Sequence, residues 1–466
     1  MLGEGKIGAA GRLPEDSYMI YERLKSRQCD LKTIVALFLG MLLFKFSLDI
    51  SYWLLMTQEA ETFRGDFSPL KYALGLICCI TLFFGIRHSQ QNVSSFMLYL
   101  VFVLQFIPIT TIYALGNDST EYYISLFFAF LLCEVIVAWT KDSSVLERNT
   151  FISKTMHLCF VGITILTLAL IILKNGVPSL TALNLLNVYE LRSSGSFQLS
   201  KYGSYLLGFA VTVLLPMMIT KCLLKKRYLL AGLACGVIFL LYLYSGHKTY
   251  LFSFPLVVVG VLWAKRKNFY TEFFVTATTG FSALSLLTCV FSDEGGILRR
   301  YLYPLFIRRT MLVPANNKFK YFDYFSQRPK MGLGGIFPRW LLPIENPYEN
   351  IRYSYEISDI YYGKPEMNSN TGFLAEGYMR FGHPGTFLVL ILFAILLKQM
   401  DKLQSRSSYA LTLGIFIYSV FSLTDAHLLD SFVSGPWLIL LFILILYKER
   451  ASCAKESPLE YQKHTS

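Results

Sequence analysis

The sequence predicts an all-α, polytopic integral membrane bundle of about twelve spans with one large polar loop on its outer face. Three observations predict it. Only 16% of the residues are charged and 54% are apolar, whereas an ordinary soluble domain carries roughly 25% charge. Apolar runs close to the ~20 residues that cross a bilayer recur along the whole chain. These runs lack period-2 alternation, so helices rather than a closed barrel must satisfy the backbone in lipid.

The elements follow in order. A polar N-terminal tail, 1–30, has no cleavable signal pattern, and the first apolar run is read as its own insertion signal. The apolar runs are Leu31–Met56, Tyr72–Ile86, Phe96–Leu115, Tyr122–Thr140, Thr155–Leu173, Tyr205–Thr220, Tyr228–Ser245, Tyr250–Ala264, Phe273–Phe291, Thr386–Met400, Tyr409–Thr424 and Trp437–Tyr447. A first transmembrane block therefore fills 31–292, broken by an outer loop at 174–203. The large polar loop covers 293–384, a second transmembrane block fills 385–448, and a short tail covers 449–466. Neither tail is long enough to build a core of its own.

Lysine and arginine in the connections set the expected orientation. One set of loops holds Arg87; Lys141, Arg148 and Lys154; Lys221, Lys225, Lys226 and Arg227; Lys265, Arg266 and Lys267; and Lys398, Lys402 and Arg406. The alternate loops are poorer, and Gly116–Glu121 has no basic residue. The first set is read as cytoplasmic, with both termini on its side and 293–384 outside. The net charge of +12 follows largely from this bias and calls for no nucleic-acid partner. Of nine cysteines, none falls in an outer loop and none has zinc-site spacing, so they read as small apolar fillers.

Arginine marks the candidate chemistry. Arg192, Arg299, Arg300, Arg308, Arg309, Arg328, Arg339, Arg352 and Arg380 all fall on the expected outer face, against the topology rule. Guanidinium is a planar fork of donors that matches phosphate oxygens bidentately. A lipid-linked phosphate or pyrophosphate would account for the cluster. Ion pairing with Glu345, Glu349, Glu356, Asp359, Glu366 and Glu376 is the plainer account of any single arginine. Lys248, in the outer turn Ser245–Thr249, could touch the same phosphate or reach lipid headgroups. Within the spans, Lys45 and Asp49 are four apart and share a helix face, whereas Glu134 has no partner in the local sequence.

A general base for group transfer would be a carboxylate or histidine at the outer surface. Asp359, Glu376, His383, His427 and Asp430 are the options, of which Glu376 and Asp359 are carried forward as catalytic candidates. Glu59 and Glu61 form a weak acidic pair in the first outer loop, and no metal motif is visible. Tyr301–Met311 is apolar, aromatic and flanked by arginine, which suits an interfacial helix along the membrane surface. Tyrosines such as Tyr321, Tyr324, Tyr353 and Tyr361 could face sugar rings or form an interfacial belt.

Several segments in order carry a family resemblance. Tyr189–Arg192 precedes the sixth span, and Ser245–Lys248 follows the seventh. The long loop holds Ile307–Pro314 and Tyr321–Ser326, then Asn370-Thr371-Gly372 and Gly377–Gly382. Together, over roughly Tyr189 to Gly385, these resemble the O-antigen polymerase (Wzy) family of oligosaccharide repeat-unit polymerases. The resemblance implies a GT-C-like helical fold in the bacterial inner membrane, acting on its periplasmic side. It implies a glycosyltransferase that joins undecaprenyl-pyrophosphate-linked repeat units with no cofactor and no metal. It points to Arg192, Arg308 and Arg309 as pyrophosphate ligands, with Arg299 and Arg300 nearby. Lys248 stands where relatives often have arginine; it keeps the charge but loses the bidentate fork. A chain-length regulator protein is a partner the resemblance leaves open. A lipid-linked oligosaccharide flippase would be expected to show short loops and internal repeats. An O-antigen ligase would share the long loop and the arginines.

Overall fold

A computed structural model describes residues 29–59, 63–90, 92–139, 150–176, 178, 201–291, 296–334, 336, 343–404, 409–434 and 437. Among these residues the regular structure is helical, with no strand.

Capping chemistry starts the first helices. Asp30 accepts the Thr33 amide at 3.0 Å and opens α1, Leu31–Met56. Ser68 caps α2, Pro69–Gly85, whose Pro at the first position loses only an amide that would lack a helical partner. Asn92 accepts the Ser94 amide at 3.3 Å and opens α3, Val93–Leu115. Helix α3 is apolar on every side and buried along its whole length, as expected for the central post of a bundle. Helices α1, α2 and α4 (Thr120–Trp139) pack around it. Next come α5 (Thr150–Asn175), α6 (Leu206–Leu224), α7 (Tyr228–Ser245), α8 (Lys248–Trp263) and α9 (Phe269–Val290). Helix α9 lies along α1.

Among the described residues six helices, α1, α3, α4, α6, α7 and α9, are long and apolar enough to cross a membrane, and shorter apolar helices accompany them. Exposed Leu39, Leu43, Phe46, Ile50 and Trp53 recur every three or four residues on α1. Such an unpartnered apolar stripe is a surface that lipid would cover. The final expected span, Trp437–Tyr447, falls outside the described residues apart from Trp437, as do most of the 174–203 loop and both tails.

The bundle has two distinguishable ends. At the upper end, the Ser68 amide donates to Ala114 and Lys71 Nζ donates to the Asp118 carbonyl at 2.6 Å. At the lower end, His88 meets the Tyr270 hydroxyl at 2.8 Å and the Ser94 amide donates to Asp401 at 2.9 Å. The chain alternates between these ends, so Arg87, the Lys225–Arg227 turn and the Lys265–Lys267 turn share the lower one.

The buried charges in the spans behave differently from one another. Lys45 and Asp49 pair at 2.5 Å, and Asp49 also accepts hydrogen bonds from Tyr72 at 2.9 Å and Thr111 at 2.7 Å. The pairing expected from their spacing is present, with α2 and α3 supplying the remaining donors. Glu134 is buried on α4 against Gly85 of α2, and its carboxylate oxygens have no hydrogen-bond partner among the described residues.

The described residues between 296 and 384 pack against the bundle through their helices. Leu298–Leu302, Pro304–Leu312 and Val313–Ser326 follow one another in one helical run, α10, which packs on α3 and α9. The interfacial helix expected at Tyr301–Met311 is therefore part of a longer element. Tyr303, Ile307, Met311 and Leu312 are buried inside the protein rather than laid along a membrane surface. Helix α11 (Tyr353–Tyr362) ends at Gly363, whose φ of +59° favours glycine. Helices α12 (Phe373–Phe381) and α13 (His383–Gln404) form a tight hairpin, and α14 (Tyr409–Ser422) follows.

Candidate functional site

The site is built where α12 meets the turn after α14. Gly372 opens α12 against the carbonyl oxygens of Leu423 and Thr424, too close for any Cβ. The Phe373 amide then donates to Leu423 at 3.2 Å. Gly377 lies against the Gly385 carbonyl with the same absence of room. Pinned in this way, α12 puts Glu376 and Arg380 on one face, with Nε of Arg380 3.2 Å from Glu376 Oε1. Past Ser422 the chain turns, the Leu429 amide donates to Glu376 Oε2 at 3.0 Å, and Asp430 accepts from Arg380 Nη2. Arg380 Nη1 donates to the Gly332 and Gly334 carbonyls at 3.2 and 3.0 Å. His427 Nδ1 sits 2.8 Å from Asp430 Oδ2. The result is one connected chain: Glu376, Arg380, Asp430, His427.

Access to this chain is one-sided. The side chains of Glu376 and Arg380 are 0% and 1% exposed, whereas Asp430 is 40% exposed and His427 12%. Burial raises the Glu376 carboxyl above its usual range, with the His427 and Arg380 charges opposing. Burial would raise Asp430 as well, but the His427 hydrogen bond and the His427 and Arg380 charges bring it below its usual value. Burial would lower His427, yet its bond to Asp430 and the Glu376 charge make it more basic than free imidazole. By spacing alone, Glu376, His427 and Asp430 could converge on a metal ion. Each carboxylate oxygen already has a partner within the protein, so the arrangement needs no ion to satisfy it.

Helix α10 forms the neighbouring wall. Asn317 Nδ2 donates to the Asn370 carbonyl at 2.6 Å and Tyr321 donates to the Ser369 carbonyl at 2.8 Å, fixing the segment that leads into α12. Lys318 is buried in the same wall with its Nζ 3.2 Å from the Pro314 carbonyl. Burial pushes Lys318 down to about 7 and Asp425 up to about 6, and the opposite charge of each resists the other's shift.

The structure distributes the expected site residues unevenly. Glu376 joins the cluster. Asp359 is exposed on α11 and makes no hydrogen bond or ion pair with the cluster. Arg299 and Arg300 lie in the first segment of α10, and Arg308 and Arg309 in the second. Both segments have i→i+5 hydrogen bonding, whose wider turn brings residues nine apart toward a common side. In agreement, Arg299 and Arg308 are both half-buried and Arg300 and Arg309 are both exposed. The backbone of Lys248 opens α8 at the upper end, after Gly246 at φ +63°. Its side chain, Arg192 and Arg339 lie outside what is described. Ion pairing accounts for some arginines, since Arg328 reaches Glu356 at 3.4 Å and Arg380 reaches two carboxylates. Sequence reasoning missed Lys318 and Asp425, which carry no local pattern. It named His427 and Asp430 separately, although a spacing of three already permits the contact they make. The seven cysteines whose side chains are described are free.

Compared with protein-family models, curated proteins and solved structures, the chain matches none of them.

Proposed function

We propose that the protein is an inner-membrane glycosyltransferase that joins undecaprenyl-pyrophosphate-linked oligosaccharide repeat units into O-antigen or a similar surface polysaccharide. In this reading about twelve spans form a GT-C-like bundle, both termini are cytoplasmic, and the upper end faces the periplasm. One observation carries it. The α10 run offers Arg299, Arg300, Arg308 and Arg309 from one helix, and its continuation walls the Glu376–Arg380–Asp430–His427 cluster. Phosphate-matching donors and acid–base groups thus belong to one end of a membrane bundle.

The chemistry is consistent with that arrangement. The growing chain leaves its lipid pyrophosphate and moves to a hydroxyl of the next unit. Pyrophosphate departs readily once preorganised cations neutralise it, and holding two lipid-anchored substrates side by side supplies proximity. Arg192 and Lys248 would contribute to the same pyrophosphate sites. Neither a cofactor nor a metal takes part in this scheme.

The test is the cell-surface polysaccharide of a deletion strain. One repeat unit on lipid A core is expected, with full-length polymer restored by the wild-type gene and not by Arg309→Ala at equal protein level. Free polymer left on its lipid carrier would indicate a ligase instead, and undelivered units inside the cell a flippase.

A further inference from the structure

We propose that His427 is the catalytic base of this site, accepting the proton of the attacking sugar hydroxyl at Nε2, and that Asp430, Arg380 and Glu376 are positioning residues behind it. The inference rests on the polymerase reading and goes further by assigning the proton, which neither the sequence nor the resemblance assigned.

Elimination narrows the choice. Glu376 is fully buried, and its two oxygens accept Arg380 Nε and the Leu429 amide. Asp430 is open to solvent, but Arg380 and His427 take one oxygen each. Asp359 is exposed on α11, and no side chain that orients it is found among the described residues. His383 has its Nε2 on Glu121 at 2.8 Å, on a different helix pair. His427 binds Asp430 through Nδ1, and no partner for Nε2 is found among the described residues. A carboxylate on Nδ1 selects the tautomer with its proton on Nδ1 and the lone pair on Nε2, which is the form a base requires. The orienting group is itself held: Arg380 clamps Asp430, and Arg380 is clamped by Glu376 and the two glycine carbonyls. A base, an orienter and a support in series is the arrangement that keeps a general base in register.

The step balances. The acceptor hydroxyl oxygen bonds to the anomeric carbon of the donor glycan as its proton passes to Nε2. The bond from that carbon to the pyrophosphate oxygen breaks, and the electron pair leaves with undecaprenyl pyrophosphate. The imidazolium then returns its proton to solvent through the open Asp430 side. The groups facing His427 are Asp430 from its own turn and Glu376 and Arg380 from α12. Tyr321 of α10 and Tyr353 of α11 stand nearer Asp430.

The experiment uses purified full-length protein in lipid nanodiscs with undecaprenyl-pyrophosphate-linked repeat units, across a pH series. Wild-type kcat should rise with pH to a plateau, because the base works only when neutral, with its midpoint above the free-imidazole value. His427→Gln should lower kcat by about 10²–10⁴-fold, change KM little, and abolish that limb. Asp430→Asn should lower kcat less and move the limb to lower pH, since it removes the anion that makes His427 basic. Melting temperature, read in parallel, separates lost chemistry from lost fold. A wild type active without such a limb, or a folded His427→Gln within threefold of its rate, overturns the assignment of the base alone. A wild type that makes no polymer overturns the polymerase reading and this inference with it.

Discussion

Arg380 organises the cluster because a single guanidinium serves four acceptors: Glu376, Asp430 and the carbonyls of Gly332 and Gly334. Its planar fork explains why lysine could not replace it, since an ammonium keeps the charge but cannot hold that fixed set of directions. Arg380→Ala would leave Glu376 buried without its cation, a change that typically costs about 3–5 kcal/mol. The lower end of that range applies, because solvent reaches Asp430 and screens it. Thermal unfolding of the purified protein should therefore show a melting point several degrees below wild type, with Arg380→Lys between the two. An Arg380→Ala protein that melts with wild type would contradict the account. At this scale the short-range half of the chemistry was legible. Spacing of four announced the Lys45–Asp49 pair, and the same spacing joins Glu376 to Arg380. The other halves come from far along the chain: Thr111 for Asp49, and Asp430 for Arg380. No window of sequence brings such groups together.

Helix α12 illustrates why an element can be quoted as a motif and still be misjudged in kind. The Asn370-Thr371-Gly372 and Gly377–Gly382 segments stand out for the family resemblance they help to carry, and they sit in a stretch that reads as a polar outer loop. The burial of α12 arises from the adjoining start of α13, which folds back on it, and from the turn after α14, which is remote in sequence. The same holds for α10, whose buried positions Tyr303, Ile307 and Met311 face α3 and α9 rather than lipid headgroups. The glycines of α12 record the closeness of that packing. A methyl group at Gly377 would collide with the Gly385 backbone, which cannot swing aside as a side chain can. Gly377→Ala should thus force the α12–α13 hairpin apart, at a cost of about 1–3 kcal/mol for overpacking, and move Glu376 and Arg380 off the Asp430 turn. The expected outcome is a lower melting point together with loss of polymer in a complemented deletion strain. A Gly377→Ala strain with full-length polymer and normal stability would show that the hairpin is looser than its backbone contacts imply.

For the whole molecule, the consequential quantity is which way the bundle faces. The helical class was legible because composition and the length of apolar runs depend on no long-range contact. Orientation rests on charge alone. The lower end gathers Arg87, Lys225–Arg227 and Lys265–Lys267, while the upper end carries Asp118, Glu121 and the Asp430 turn. In the proposed orientation, basic loops are retained in the cytoplasm and the upper end faces outward. A direct test starts from a protein whose native cysteines are replaced, since Cys29, Cys222, Cys235 and Cys289 are half-buried while Cys78, Cys79 and Cys133 are buried. Single cysteines at Asn117 and Asp359, exposed at the upper end and on α11, should react with a membrane-impermeant maleimide in intact spheroplasts. Cysteines at Lys226 and Arg266 should react only after permeabilisation. The reverse pattern would turn the His427 cluster toward the cytoplasm. Its arginines would then face away from the compartment in which lipid-linked repeat units are polymerised, and the proposed activity would lose its substrate whatever the local geometry allows.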